Sequence, residues 1–249
     1  MNLNLELLAQ GGLELLSSNP YAGRVIVLGK TEDDFPVQVY SLSGRSEGTR
    51  NRVLERNEES VRTSLADIVK HGDKPTDLII YRAMGRSEHQ DKRLWVVSNG
   101  DQTDTVLEDD HAGNLGWNLS RRQYEPDWPN FTARITGAIR LTPNAPIFEL
   151  NIIQKSVFYE GCDRASYIYD NMDRGFGRMI STYSGDGDPL PGFDGKPVLV
   201  PLTGGIHKIS ETYWNALNPD HRIAQVVRVI NPKTGESTFK ITNKYNKVA

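Results

Sequence analysis

Cysteine is almost absent from this chain. Of 249 residues only Cys162 carries a thiol, so no disulfide can form within the chain, and a reducing compartment is the expectation. Long apolar runs are missing too. No stretch approaches the roughly 18 to 20 apolar residues that a membrane span requires. The leading MNLNLELLAQGG has no basic flank and carries Glu6, which makes a poor signal peptide, and a cytoplasmic protein is expected. Neither sign of charge dominates: the formal net charge is −3, which argues against a general electrostatic grip on nucleic acid or an anionic membrane. Metal-ligand spacing is also lacking. None of His71, His89, His111, His207 and His221 stands at i, i+4 from another or beside the cysteine, so no metal centre is expected. Asp186, Asp188 and Asp194 do not follow the calcium-loop spacing and read as an ordinary loop. There is no GxxxxGK[ST] phosphate loop and no GxSxG elbow, and Cys162 sits in no recognisable nucleophile context.

What remains is a globular composition, 37% hydrophobic and 24% charged, with no repeat, no low-complexity tract and no linker, hence one domain over residues 1–249. Residues 3–16 are leucine-rich and predict a helix broken at Gly11-Gly12. Residues 24–28 and 37–42 predict a β-hairpin. Val61, Leu65, Ile68 and Val69 share a helical face, which predicts a short helix over 60–70. Strands are predicted at 78–83, 94–97, 133–141, 148–154, 165–169 and 198–202. A weak helix is expected within 110–123, a loop over 184–195, a helix over 211–217, and a final hairpin from 224–230 and 237–242 around the turn at Asn231-Pro232. About ten strands and three or four short helices make an α+β fold with sheet faces packed on each other.

Three stretches carry polar chemistry. The first is VVSNGDQTD, residues 96–104, where six polar side chains surround one glycine directly after an apolar strand. Such a loop can arrange amides, hydroxyls and carboxylates around a ligand, although Asn-Gly is equally a hairpin-turn signal. The second is GRSEGTRNR, residues 44–52, with three arginines, two glycines and hydroxyls between them. Guanidinium forks and exposed backbone N–H groups suit a phosphate, and a solvated surface loop is the plainer reading. The third is YEPDWPN, residues 124–130, which offers a tyrosine, two carboxylates and an asparagine on a proline-stiffened segment.

Taken together, the pieces YAGRVIVLGKT, VYSLSGRS followed by TRNR, LIIYRA, VVSNGDQTD and YEPDWPNFTARI, in this order over roughly residues 20–140, resemble the archaeal-type inosine monophosphate (IMP) cyclohydrolase family, which has bacterial relatives. The C-terminal part, with TGGIHKISETYW, is similar to the longer bacterial members. Residues 1–19 form an N-terminal extension relative to the shortest members, Ser41 stands where some archaeal members carry an arginine, and GRSEGTRNR is longer than their version. The resemblance implies a four-layer αββα sandwich resembling the N-terminal-nucleophile hydrolases, without self-processing, and is compatible with a homo-oligomer. The implied reaction closes the second purine ring: a formamidoimidazole-carboxamide ribonucleotide loses water and becomes inosine monophosphate.

That reaction needs a phosphate anchor, donors to the developing oxyanion and an acid/base pair, and it calls for no metal or redox cofactor. By the resemblance and by chemical type, Tyr81 and Glu125 are the candidates for proton transfer. Arg24, Arg45, Arg50 and Arg52 are candidates for phosphate binding and charge stabilisation. Asn99, Asp101 and Thr103 would hold the ribose, carboxamide or formyl group, and Tyr124 and Asn130 would orient Glu125. A core tyrosine with a satisfied hydroxyl is the structural alternative for Tyr81. Two other functions fit the same residues: a nucleotide-binding module that has lost the chemistry, and an amidohydrolase acting on a related formylated or cyclic amide.

Overall fold

The computed structural model describes residues 3–71, 76, 78–87, 93–108 and 113–247. Along these the elements are α1 (Leu3–Ser18), β1 (Arg24–Lys30), β2 (Pro36–Ser43), α2 (Glu47–Arg50), β3 (Arg52–Asn57), β4 (Ser60–Leu65), α3 (Ile68–His71), β5 (Arg82–Arg86) and β6 (Leu94–Ser98). They continue with α4 (Gln102–Glu108), α5 (Leu115–Asn118), β7 (Arg134–Leu141), β8 (Pro146–Lys155), β9 (Cys162–Tyr169), β10 (Phe176–Ser181), β11 (Val198–Pro201), α6 (Gly205–Ala216), β12 (Arg222–Ile230) and β13 (Ser237–Asn243).

The strands form two antiparallel sheets, so the chain is α+β as expected. One has six strands in the order β11-β10-β1-β2-β12-β13, and the other is a seven-stranded meander from β3 to β9. Strand alternation sorts the side chains into layers. In β1, Ile26 and Leu28 join Tyr40, Leu42, Trp95, Val97, Ile135 and Ile139 in the core between the sheets. Val25 and Val27 face the other way and pack with Leu16 of α1 and Ile209 and Tyr213 of α6. On the far side of the second sheet, Leu94, Val96 and Ala138 meet Val106 and Leu107 of α4 and Leu115 of α5. Helices therefore cover both outer faces of two stacked sheets.

The structure departs from the sequence expectations at several places. The stretch 60–70 is not a helix. Residues 60–65 form β4, and the buried residues Val61, Thr63 and Leu65 alternate as a strand requires, with only a helical turn left at Ile68–His71. The strand expected over 78–83 begins at Arg82, because Ile79 and Ile80 turn back to donate to the Thr76 carbonyl. The helix expected within 110–123 is a single turn, α5, with residues 110–112 outside the described residues. Helix α1 runs unbroken through Gly11-Gly12. The reason is close approach: a Cβ on Gly12 would lie 2.0 Å from the backbone oxygen of Leu199, so only glycine lets α1 seat on β11. Strands β3 and β10 were not anticipated at all.

The two neighbouring glycines should respond oppositely to the same change. Gly11 has nothing within 4 Å of an added Cβ, so Gly11→Ala is expected to stabilise by about 0.5–1 kcal/mol through helix propensity. Gly12→Ala must displace backbone and is expected to destabilise by roughly 1–3 kcal/mol. Chemical denaturation of the two variants checks this, and a Gly12→Ala protein as stable as wild type would contradict the packing described.

Candidate active site

At one end of the inter-sheet core the apolar residues give way to polar ones. The same alternation that buries Ile26 and Leu28 puts Arg24 on that face at the start of β1. Tyr40 lies beside Leu42 on β2, and Arg52 precedes Leu54 at the start of β3. Tyr81 arrives just before β5, fixed by its N–H to Thr63 Oγ1 (2.9 Å), and its hydroxyl lies 2.7 Å from that of Tyr40. Asn99 follows β6, and Glu125 is placed by its N–H to the Thr132 carbonyl (2.9 Å). Arg24, Tyr40, Arg52, Tyr81, Asn99 and Glu125 are all buried.

The charge balance of this cluster is unusual. Arg52 is 0% exposed; its Nε donates to the Thr49 carbonyl (2.8 Å), but neither Nη1 nor Nη2 has a partner among the described residues. The Nε of Arg24 is likewise buried and unpartnered. Burial and the neighbouring Arg24 charge push the Arg52 guanidinium below its ordinary value. For Arg24, burial works against the charge, but Tyr81, Glu125, Tyr21 and Tyr40 outweigh it and hold the group firmly protonated. A buried cation with unsatisfied donors costs several kcal/mol, so the site is built to receive negative charge.

Glu125 supplies the opposite character. Burial pushes its carboxyl up to about 7, against the pull of Arg24 and Arg134, and with Asp127 adding to the rise. Asn99 Nδ2 donates to Glu125 Oε1 (3.2 Å) and to the Ala133 carbonyl (2.9 Å), while its Oδ1 accepts from Ile135 N and Gln102 Nε2. The asparagine is thus locked in one orientation with an amide hydrogen on the carboxylate. Thr132 holds Asp127 by both its N–H (2.6 Å) and its hydroxyl, and the hydroxyl also meets that of Tyr183. Tyr183 stacks on Tyr21 (centroids 5.7 Å apart), and Arg45 lies over the Tyr21 ring at 5.2 Å.

The expected site residues therefore divide. Arg24, Arg52, Tyr81, Asn99 and Glu125 come together. Arg45 and Arg50 lie further out. Arg45 is ion-paired with Asp186 and donates to the Gly187 carbonyl, and Arg50 Nε donates to the Gly44 carbonyl with its Nη2 3.5 Å from His221 Nδ1. Asp101 is committed to Arg122 (2.7 Å) and Arg134 (2.8 Å), and the Thr103 hydroxyl closes on Ser98 Oγ (2.6 Å), so both hold the loop. That loop is no hairpin turn: it passes from β6 into α4. Tyr124 packs edge-on against Phe131, and Asn130 Oδ1 accepts from Leu190 N, so the hydrogen bond on Glu125 comes from Asn99 instead. Ser41 points to the helix side, where its hydroxyl donates to Gln225 Oε1, away from the cluster. His89 and His111 lie outside the described residues.

Four contributors were not anticipated: Tyr40, Tyr183, Asp186 and His221, the last packing edge-on against Tyr21 at 5.4 Å. Only Tyr40 had a local signal, its alternation with Leu42. A cavity nearby, about 1030 Å³, shares Tyr183 and Ala133 with the surroundings of the cluster but is lined by none of Arg24, Arg52, Tyr81 or Glu125.

The raised Glu125 value fixes a stability profile. Between about pH 4.5, the ordinary value, and about 7, the folded chain binds more protons at this position than the unfolded chain. Stability contributed by the neutral carboxyl is fully present at the acid end and is lost as pH rises through the folded value. Relative to Glu125→Gln, wild type is expected to lose up to about 3 kcal/mol across that window. Parallel stability–pH curves for the two proteins would contradict it.

A family model described as IMP cyclohydrolase-like protein matches residues 21–235. Comparison with curated proteins gives no significant match. The matched segment opens on Tyr21 and contains every member of the cluster, from Arg24 through Glu125 to His221. The chain belongs to the IMP cyclohydrolase-like family.

Proposed function

We propose that this protein is an IMP cyclohydrolase that closes the purine ring of 5-formamidoimidazole-4-carboxamide ribonucleotide. The observation that carries the reading is the pair of buried arginines with unpartnered donors, set beside a carboxyl poised near pH 7 and a hydrogen-bonded tyrosine pair. The reaction needs those parts. The carboxamide nitrogen attacks the formyl carbon, forming a C–N bond, and loses one proton, and the formamide nitrogen loses the other. The formyl oxygen takes up negative charge, is protonated, and leaves as water as the ring C=N forms.

In this reading Arg24 and Arg52 stabilise the charge on the oxygen, donating from a site where water does not compete. Glu125, partly ionised at neutral pH, takes a proton from the nitrogen and can return one to the leaving oxygen, and Tyr81, backed by Tyr40, is the second proton-transfer group. Asn99 keeps Glu125 aimed. A ribose separates the phosphate from the reacting base, so the arginines at the reacting atoms do not also hold the phosphate. We assign that role to Arg45, Arg50 and His221, which lie further out. We read the stacked sheets with helices on both faces as the N-terminal-nucleophile hydrolase arrangement without self-processing, in a chain similar to the longer members of the archaeal-type family.

Conversion of the formylated ribonucleotide, followed by formation of inosine monophosphate, tests the proposal. Removal of a general acid or base is expected to lower the rate by on the order of 10²- to 10⁴-fold, so Glu125→Gln and Tyr81→Phe should each fall in that range. Nucleotide binding without turnover in wild type would favour a binding module. Turnover unchanged in both variants would leave the reaction standing and remove these residues from it.

A further inference from the structure

Outside the cluster, one surface carries an unusual concentration of exposed apolar side chains. The tip of the β8–β9 hairpin presents Val157, Phe158 and Tyr159, which are 85%, 90% and 57% exposed. Trp128, next to Pro129 on the same rim, is 79% exposed. The tip is held in shape. Ser156 N–H donates to the Gly161 carbonyl (3.0 Å), Phe158 N–H donates to Ser156 Oγ (3.2 Å), and the Tyr159 hydroxyl donates to the Cys162 carbonyl (2.8 Å). The Tyr159 ring lies over Gly161, where an added Cβ would meet it at 2.5 Å. A fixed tip that exposes consecutive large apolar residues marks an interaction site.

Beside the tip lies a recess that matches it. The cavity of about 1030 Å³ is walled by Phe131, Tyr183, Leu190 and Phe193 as well as by the tip itself. It adjoins the cluster through Ala133 and Tyr183, and none of Arg24, Arg52, Tyr81 and Glu125 lines it. Its charged lining carries both signs: Lys155 on one side of the tip, with its ammonium 4.0 Å from the Phe131 ring centroid, and Glu160 on the other, with Asp163 and Asp194 also on the wall. A projecting apolar tip, an adjoining apolar recess and a flanking pair of opposite charges make the surface complementary to itself. That is what an isologous two-fold contact requires, because the same patch must serve both partners.

We propose that this face joins two copies of the chain, the Val157–Phe158 tip of each seating in the recess of the other, with Lys155 of one copy meeting Glu160 of its partner. The partner's Phe158 then lies against Tyr183, whose hydroxyl meets the Thr132 hydroxyl beside Glu125, so each copy closes its partner's site from the recess side. The association itself does not depend on the reaction proposed above; only its effect on rate does.

Sedimentation velocity at micromolar concentrations tests it without any substrate. Wild type is expected to sediment as a dimer or a multiple of one. Phe158→Asp is expected to halve that mass, as are Lys155→Glu and Glu160→Lys taken singly. Mixing the Lys155→Glu chain with the Glu160→Lys chain should restore the wild-type mass, because each contact then again pairs opposite charges. These positions lie at the surface, so unchanged circular dichroism and a cooperative melt establish that the variants are folded. A monomeric wild type would leave the face for some other partner and overturn the proposal, as would an assembly that survives Phe158→Asp.

Discussion

Two arginines buried side by side, with donors that nothing among the described residues satisfies, set the terms for this structure. Arg52 is fully enclosed and Arg24 nearly so. Each is partly compensated, Arg52 by the Thr49 carbonyl and Arg24 by surrounding hydroxyls and Glu125, but the sum stays positive. Such a cluster is unfavourable for folding alone. It becomes favourable when a ligand brings negative charge into a space that excludes water, which is also where electrostatic catalysis is most effective. The same enclosure raises Glu125 toward neutrality, so one physical cause, burial, prepares both the anion-stabilising groups and the proton carrier.

The fold supplies that enclosure by stacking two sheets and letting their ends diverge in chemistry. Midway along the strands the inter-sheet layer is apolar, with Ile26, Leu28, Trp95, Val97 and Ile139. At the end where β1 and β3 begin and β6 finishes, the same faces carry Arg24, Arg52 and Asn99. Arg24, Arg52 and Asn99 are buried at that end. Loop residues act as braces instead: Asp101 ties the turn after β6 to Arg122 and Arg134, and Thr132 ties Asp127 to the wall that carries Tyr183.

How much of this could be read from the sequence followed the range of the interactions involved. The β1–β2 hairpin, the last hairpin and most strands of the second sheet were legible because their apolar alternation is local. The helix expected at 60–70 failed because Val61 and Leu65 fit a helical face as well as a strand; the buried Thr63 between them settled it, and a threonine gives no apolar signal. Gly11-Gly12 looked like a break because the backbone of β11, far along the chain, is what the second glycine meets. In the site, five candidates converge, since their motifs lie at strand ends. Asp101, Thr103, Tyr124 and Asn130 were given ligand or orienting roles from motifs of the resemblance, and a motif does not reveal which side chains are engaged with other residues of the chain. Asp186 and His221 come from segments with no motif, brought in only by tertiary packing.

The central claim is that the arginine pair is an unneutralised charge held for the substrate. Unfolding of wild type and Arg52→Met, each with and without inosine monophosphate, tests it most directly. Without nucleotide the variant should be the more stable protein, by roughly 1–4 kcal/mol, because an apolar side chain replaces an unpaired buried cation. Nucleotide should stabilise wild type by mass action and the variant by a smaller amount, because the outer arginines still hold the phosphate while the donors of Arg52 are gone. A variant less stable than wild type, together with a nucleotide shift equal in both proteins, would show that Arg52 is a structural residue and that the charge is neutralised elsewhere.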